Sequence, residues 1–128
     1  MAATAGKAVL DFIEEQNLRV NAAEVGAYLR QKLLELQEKH SLIGEVRGMG
    51  LMQAMELVQD RKTKAPATAE TAQLMETTRE NRIMVGKGGL YGNVLRISPP
   101  LNIAKTDVDE FARLLDRSFA QCHVAATV

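Results

Sequence analysis

The sequence predicts an α+β domain of two layers, in which helices cover one mainly antiparallel sheet. The first observation is the order of the predicted elements, which is helix, helix, strand, strand, helix, strand, strand, helix. Grouped strands with segregated helices are typical of such a domain. The second observation is size and composition, because 128 residues with 46% apolar and 25% charged residues suit one globular domain. We therefore expect residues 1–128 to form a single domain.

Two helices are predicted at the start of the chain. The first runs from about Ala3 to Gln16, because apolar side chains recur there at the helical i, i+3, i+4 spacing. Asn21 is expected to cap the second helix, with Glu24 at the capping-box position, and this helix runs to about Lys39. Its apolar stripe consists of Val25, Tyr28, Leu29, Leu33 and Leu36.

The hydrophobic period then changes from helical to alternating. Residues 42–58 are interpreted as two strands around a tight turn that contains glycine. One face of the second strand is mostly apolar and the other is mixed. The apolar face carries Leu51, Gln53, Met55 and Leu57, and the mixed face carries Met52, Ala54, Glu56 and Val58.

A third helix is predicted from about Thr68 to Asn81. A short buried strand at 83–85 follows it, and then a flexible or sharply turning glycine-rich loop at 86–92. On the helix, one side is expected to hold Ala72, Met75 and Arg79, with Leu74 and Thr78 adjacent.

The last strand is predicted at 94–97, where Pro99 and Pro100 end it. The final helix is expected to begin with Thr106 as its cap and Asp109 three residues further on. Its apolar stripe holds Val108, Phe111, Leu115 and Phe119, with Leu114 beside them. We expect the tail, about 123–128, to be frayed.

Charge and cysteine content exclude several classes of protein. Sixteen basic residues balance sixteen acidic ones, so no general field favours nucleic acid or an anionic membrane. The apolar runs are too short to span a bilayer. The single cysteine, Cys122, is expected to be structural, and its isolation favours the cytoplasm or a mitochondrial matrix. His40 and His123 are far apart in sequence, so no metal site and no catalytic residue are predicted.

The glycine-rich segment does not match a phosphate-binding motif. The dinucleotide fingerprint needs glycine at position 91, where Tyr91 stands. The P-loop pattern needs glycine at position 81, where Asn81 stands. We therefore favour a connection between strands that needs positive φ angles.

Arg96 is the one residue that suggests a binding function. It lies between Leu95 and Ile97 in an otherwise apolar strand, just before Ser98 and two prolines. A guanidinium fixed there is suited to a bidentate contact with a carboxylate. From the pattern alone, however, a structural ion pair or an edge-strand charge is favoured over a ligand contact.

Two motifs resemble the small domain of class III, fold-type I, pyridoxal-phosphate-dependent aminotransferases. The first is VRGMGLM at 46–52 with MEL at 55–57, and the second is VLRISPPL at 94–101 followed by TDVD at 106–109. The opening AVLDFI at 8–13 is also similar, so the resemblance covers roughly positions 3 to 120. Within the family, GKGG at 86–89 and VQD at 58–60 look most like the alanine–glyoxylate branch.

The resemblance implies that Arg96 binds the carboxylate of the substrate. Arg47, Gly48 and Gly50 also match a family motif, and we interpret them as architecture of the hairpin. The resemblance also implies that pyridoxal phosphate is bound by a large domain of the same chain, so this segment holds no cofactor residue and is inactive alone. The full-length enzyme would be a homodimer that transfers an amino group from an amino acid to an oxo acid.

Two alternatives remain open from the sequence. One is the small domain of a 4-aminobutyrate or ornithine type aminotransferase, and the other is a non-catalytic α+β binding module. The abrupt helical start favours a chain that begins inside a longer protein. Such a domain should expose apolar area on its first helix and around Leu90 and Tyr91.

Overall fold

The computed structural model describes the backbone of residues 1–126 and the side chains of residues 1–122. The elements in this part of the chain are α1 (Ala2–Glu15), α2 (Leu18–Lys39), β1 (Ile43–Met49), β2 (Met52–Leu57), α3 (Thr68–Glu80), β3 (Gly86–Gly88), β4 (Val94–Ile97) and α4 (Lys105–Ala126). The strands pair antiparallel in the order β1-β2-β4-β3. The predicted α+β class with an antiparallel sheet is thereby confirmed.

Helices α2, α3 and α4 share one core with one face of the sheet. The apolar face of β2 is buried as predicted, and Leu95 and Ile97 of β4 are buried beside it. These strand residues share one core with the stripes of α2 and α4, including Leu29, Leu33, Val108, Leu115 and Phe119. A β-bulge between Ile43 and Glu45 keeps both Ile43 and Val46 in this core, because the extra residue shifts the alternation by one position.

The second helix begins earlier than the sequence predicted. Asn17 has a left-handed backbone with φ 52° and separates α1 from α2, so Asn21 lies inside α2. The side-chain amide of Asn21 donates to the carbonyls of Leu101, at 2.7 Å, and Ile103, at 3.1 Å. The prediction of Asn21 as N-cap was wrong, because its polar group serves a contact 80 residues away.

The last helix also begins at a different residue. It starts at Lys105, and Asp107 Oδ2 accepts a hydrogen bond from the backbone N–H of Ala104 at 3.0 Å. The predicted cap, Thr106, therefore lies inside the helix, and Asp109 accepts a hydrogen bond from the hydroxyl of Tyr28 instead. The backbone of α4 continues to Ala126, whereas residues 127–128 and the side chains of 123–126 lie outside the described residues. A frayed tail at about 123–128 stays a prediction.

The glycine-rich segment contains a strand that the sequence placed elsewhere. Residues 83–85 are not a strand, although Ile83 is buried, and Met84 is exposed. The strand is instead Gly86–Gly88, at the edge of the sheet against β4. Strand pairing uses backbone groups, so it does not require the β-branched side chains on which the sequence prediction depended.

The buried face of α3 is centred beside the group of Ala72, Met75 and Arg79 that the sequence analysis placed on one side. Thr71, Leu74 and Thr78 are buried, whereas Ala72 and Arg79 are exposed. The hydroxyl of Thr71 donates to the carbonyl of Ala67 at 2.6 Å, and Thr78 likewise donates to Met75. Burial is tolerated because both hydroxyls have a local backbone partner.

The first helix and the 90–91 turn expose apolar surface, as expected. No residue of α1 is buried, and Val9, Leu10 and Phe12 are 58%, 65% and 50% exposed. Leu90 and Tyr91 are 91% and 60% exposed. The apolar stripe of α1 is thus not used to pack the core that the structure describes.

A polar pair links α2 to α4 beside the core. His40 is buried, its ring stacks on Phe119 with centroids 5.0 Å apart, and its Nε2 lies 2.6 Å from Asp116 Oδ1. Lys39 Nζ lies 3.0 Å from the other carboxylate oxygen. The hydrogen bond to His40 lowers the pKa of Asp116, and Lys39 adds to the effect.

We expect Asp116→Asn to reduce stability at neutral pH and to lose this effect in acid. Because the pKa of Asp116 is lowered on folding, its stabilisation is present above the ordinary carboxyl pKa of 3.8 and is lost as pH falls below it. Asp116 is 35% exposed, so solvent screening limits the loss to about 1 kcal/mol. Urea midpoints of both proteins at pH 7 and pH 3 measure this. A difference at pH 3 as large as that at pH 7 contradicts it, and Asp11→Asn on exposed α1 is the control.

Candidate functional site

A row of residues crosses the sheet on the face opposite the helices. Arg47 pairs with Ala54, Ala54 with Arg96, and Arg96 with Gly86, so one residue of each strand stands in the row. Paired residues project to the same face of a sheet. A cleft of about 320 Å³, which we call the open-face cleft, is lined by Arg47, Gly48, Met52, Gln53, Ala54, Arg96 and Ser98.

The local structure holds Arg96 at this cleft. Leu95 is 0% exposed and Ile97 is 4% exposed, so both anchor β4 in the core while Arg96 projects to the opposite face. Before the strand, the side chain of Asn93 donates to the carbonyl of Leu57 at 2.9 Å. After it, the bond from Asn21 to Leu101 fixes the segment that follows the two prolines. The backbone of Arg96 is therefore anchored at both ends.

The two arginines of the cleft differ in their charge partners. Arg47 Nη1 lies 2.8 Å from Glu45 and 2.6 Å from Glu56, and the hydrogen bond to Glu56 is the main reason that the pKa of Arg47 is raised. Arg96 is exposed, and its side chain forms no hydrogen bond or ion pair with residues whose side chains the structure describes. Arg96 is thus the unneutralised cation of the open-face cleft.

The hairpin turn explains two of the motif glycines. Gly48 has φ 148° and Gly50 has φ 53°, both of which are unfavourable for other residues. The assignment of Gly48 and Gly50 to hairpin architecture agrees with this geometry. Arg47, however, also flanks the cleft beside Arg96, which the motif alone did not indicate. The register of the strands places Arg47 beside Arg96, and this register is not visible in the sequence.

The lysines of the chain do not fit a covalent site for pyridoxal phosphate. An amine of that kind is activated by burial, which lowers its pKa. Lys32 is partly buried, but its pKa is raised by the hydrogen bond to Glu35. The other six are exposed: Lys7, Lys39, Lys62, Lys64, Lys87 and Lys105. The glycine-rich segment leads from strand to strand through Gly89 and Gly92, which have positive φ, and not into the helix N-terminus of a phosphate cradle.

We expect pyridoxal phosphate to label no single lysine of this chain stoichiometrically. Exposed lysines react slowly and similarly, so labelling should be partial and scattered. The purified chain is incubated with pyridoxal phosphate, reduced with borohydride and mapped by mass spectrometry. Labelling of one lysine in every molecule would contradict the interpretation of the lysines given above.

The two other potentially reactive side chains that the structure describes, Cys122 and His40, are both buried. Cys122 is 3% exposed, and burial raises the pKa of its thiol, which disfavours the nucleophilic thiolate. His40 lies in the polar pair described above, and the side chain of His123 is outside the described residues. Among the described residues, no three potential metal ligands cluster. Nor does any described helix have the length and apolarity needed to cross a bilayer.

Comparison with known proteins identifies relatives along almost the whole chain. The chain is 51% identical to alanine–glyoxylate aminotransferase 2 homolog 2, mitochondrial, of Arabidopsis thaliana over 94% of its length. It is 38% identical to human mitochondrial alanine–glyoxylate aminotransferase 2 over 97%, and 41% identical to a leucine/methionine racemase of Thermococcus litoralis over 94%. These matches span 25%, 24% and 27% of the relatives, so the chain corresponds to about a quarter of their length.

Solved structures show the same fold. An amine transaminase from an uncultivated Pseudomonas species, determined in its pyridoxal-phosphate-bound form, is 36% identical and superposes with a TM-score of 0.83. The superposition covers 92% of this chain and 27% of that one. The family model described as class III aminotransferase matches residues 1–119. The resemblance carried by the two motifs is confirmed, and the chain belongs to the class III aminotransferase family.

Proposed function

We propose that this chain is the small domain of a pyridoxal-phosphate-dependent aminotransferase of the alanine–glyoxylate type, in which Arg96 binds the carboxylate of the amino acid or oxo acid. The observation that carries the proposal is the guanidinium of Arg96, which has no partner among the described side chains and lies on a strand anchored at both ends. A guanidinium presents a planar pair of N–H donors that matches a carboxylate. The named activities of the relatives support the same substrate class.

The charges around the cleft direct a carboxylate to Arg96. Glu45 and Glu56 both bind Arg47, so that side of the cleft carries a net negative charge and the guanidinium of Arg47 is already hydrogen-bonded. Ser98 lines the cleft on the other side of Ala54 and offers a hydroxyl donor. A bound carboxylate at Arg96 would fix the substrate at one end, which orients the reacting carbon without any chemistry by this chain.

The cofactor belongs to a part of the enzyme that this chain does not contain. When bound, pyridoxal phosphate supplies the electron sink for carbanion chemistry. No lysine of this chain has the environment to hold it, so we place its site in the three-quarters of the relatives that the chain does not match. The function of this chain is to bind and orient substrate and, as part of a closing wall, to exclude water.

The exposed apolar surfaces support a partner domain. Val9, Leu10 and Phe12 of α1 and the Leu90–Tyr91 turn are the apolar areas that we assign to contact with the large domain of the same chain. On this proposal, residues 1–128 are a C-terminal small domain, the complete enzyme is a homodimer, and the isolated chain is inactive. The mitochondrial names of the relatives favour the mitochondrial matrix over the cytoplasm.

A chimeric enzyme tests the function directly. In the Arabidopsis relative, the segment that matches this chain is replaced by residues 1–128. Single-turnover rates are measured with alanine and with ethylamine, which is alanine without its carboxylate. We expect a chimera that uses alanine at least 10²-fold faster than ethylamine, because only alanine engages Arg96.

The outcome separates the alternatives. The relative with the segment deleted is the control and should be inactive with both compounds. Equal rates with alanine and ethylamine would overturn carboxylate recognition by this domain.

A further inference from the structure

Strand β3, which pairs with the strand of Arg96, has glycine at the positions that the Arg96 side chain covers. Gly86 pairs with Arg96 and Gly88 with Val94, and Lys87 stands between them. A Cβ atom built on Gly86 would lie 3.3 Å from Arg96 Nε, 3.4 Å from its Cβ and 3.5 Å from its Nη2. One built on Gly88 would lie 3.3 Å from Arg96 Cδ and 3.4 Å from Nε. The whole length of the arginine side chain thus crosses β3.

The backbone of β3 does not itself require glycine. Gly86 and Gly88 do not have positive φ angles, in contrast to Gly89 at 84° and Gly92 at 63° in the turn that follows. Glycine in a strand is unfavourable because it loses more backbone entropy on folding and contributes no packing. A glycine in such a position often marks close approach of another group. Here the group that approaches is the side chain of Arg96.

We propose that Gly86 and Gly88 are positioning residues that form a shelf for Arg96, and that this shelf sets where the guanidinium meets the substrate carboxylate. The inference rests on the proposed function of Arg96. In most sheets, the side chains of the neighbouring strand project beside an arginine on the same face and prevent it from lying across that strand. Without them, the arginine lies across β3, and its guanidinium is held near Gly86.

The charges of β3 agree with this arrangement. Lys87 pairs with Leu95, whose side chain is in the core, so the register places Lys87 on the face opposite Arg96. The strand therefore adds no second cation beside the guanidinium. Arg96 has no polar partner to hold it among the described side chains, so contact with the shelf is the constraint that defines its position.

Filling the shelf in the chimeric enzyme tests the proposal. Gly86→Val and Gly88→Val are each expected to lower the alanine rate by about 10²-fold, the order of loss for a 1 Å misplacement of a substrate contact. Gly86→Ala should lower it by only about 3- to 10-fold, because Arg96 needs to move by a few tenths of an ångström. Ethylamine rates should change less than about 3-fold, since ethylamine has no carboxylate. Inhibition by propionate, which is alanine without its amine, should weaken in parallel.

Two further measurements distinguish positioning from a general effect on the fold. Valine favours strands, so the urea midpoint of the variants should not fall. Lys87→Val, on the opposite face of the same strand, is the matched control and should keep the alanine rate. In the background of Arg96→Ala, adding Gly86→Val should cost nothing more, because the shelf acts only through Arg96.

The result also separates this inference from the proposed function. If Arg96→Ala lowers the alanine rate selectively but the valine variants do not, the shelf proposal is wrong and the carboxylate site at Arg96 stands. If Arg96→Ala lowers the alanine and ethylamine rates equally, the proposed function of Arg96 is wrong, and the shelf proposal that rests on it is wrong as well. Valine variants that lower both rates together with the urea midpoint would overturn the shelf in favour of a purely structural strand.

Discussion

Replacing Arg96 by alanine in the chimeric enzyme is expected to lower the alanine rate by about 10²- to 10³-fold and to leave the ethylamine rate within about 3-fold. Loss of one partner from a hydrogen-bonded charge pair costs about 2–5 kcal/mol, because the other charge is left unpaired. The carboxylate of alanine is that other charge. Arg96 has no hydrogen-bond or ion-pair partner among the described side chains, so its removal leaves no protein group uncompensated. Cofactor absorbance should be unchanged.

Arg96→Lys should fail almost as severely as the alanine variant. An ammonium keeps the charge but cannot form the planar pair of bonds to a carboxylate. The control is Arg79→Ala, which removes an exposed arginine of α3 whose one ion-pair partner among the described side chains is Glu76. Single-turnover rates with alanine and ethylamine decide the result. If Arg96→Ala lowers both rates equally, Arg96 is structural, as its sequence pattern alone favoured.

Gly26→Ala is expected to destabilise the chain by about 3 kcal/mol or more, although alanine is the better helix former. Gly26 is buried in α2 where the helix crosses the β1–β2 turn. An added Cβ would lie 2.3 Å from the carbonyl carbon of Gly50 and 2.4 Å from its oxygen. These are backbone atoms of a turn with φ 53°, so the helix and the hairpin must separate to relieve the overlap.

A second glycine provides the matched control. Gly6 lies in exposed α1, and a Cβ there meets no atom within 4 Å. Gly6→Ala should therefore raise stability by up to about 1 kcal/mol, the ordinary helix preference. Urea denaturation followed by circular dichroism measures both variants. A Gly26→Ala protein that is as stable as the Gly6→Ala protein would show that the helix does not touch the turn.

The sequence by itself determined the features that depend on local periodicity. The apolar stripes of α2 and α4, the two faces of β2 and the outward position of Arg96 all follow from repeats of 3.6 or 2 residues. Side chains on a helix or strand project at fixed angles, so their faces are visible in the spacing alone. The motifs at 46–52 and 94–101 added the family, which the comparisons confirmed.

Only the tertiary structure decided which distant residues meet. The strand at Gly86–Gly88, the contact of Asn21 with Leu101 and the shared row of Arg47 and Arg96 each join segments from different parts of the chain. Strand register depends on the packing of the whole core, and a shift of one residue would turn Arg96 from the cleft into the core. That Arg96 has no ion-pair partner among the described side chains is likewise a tertiary result, as is the binding of Glu45 and Glu56 to Arg47.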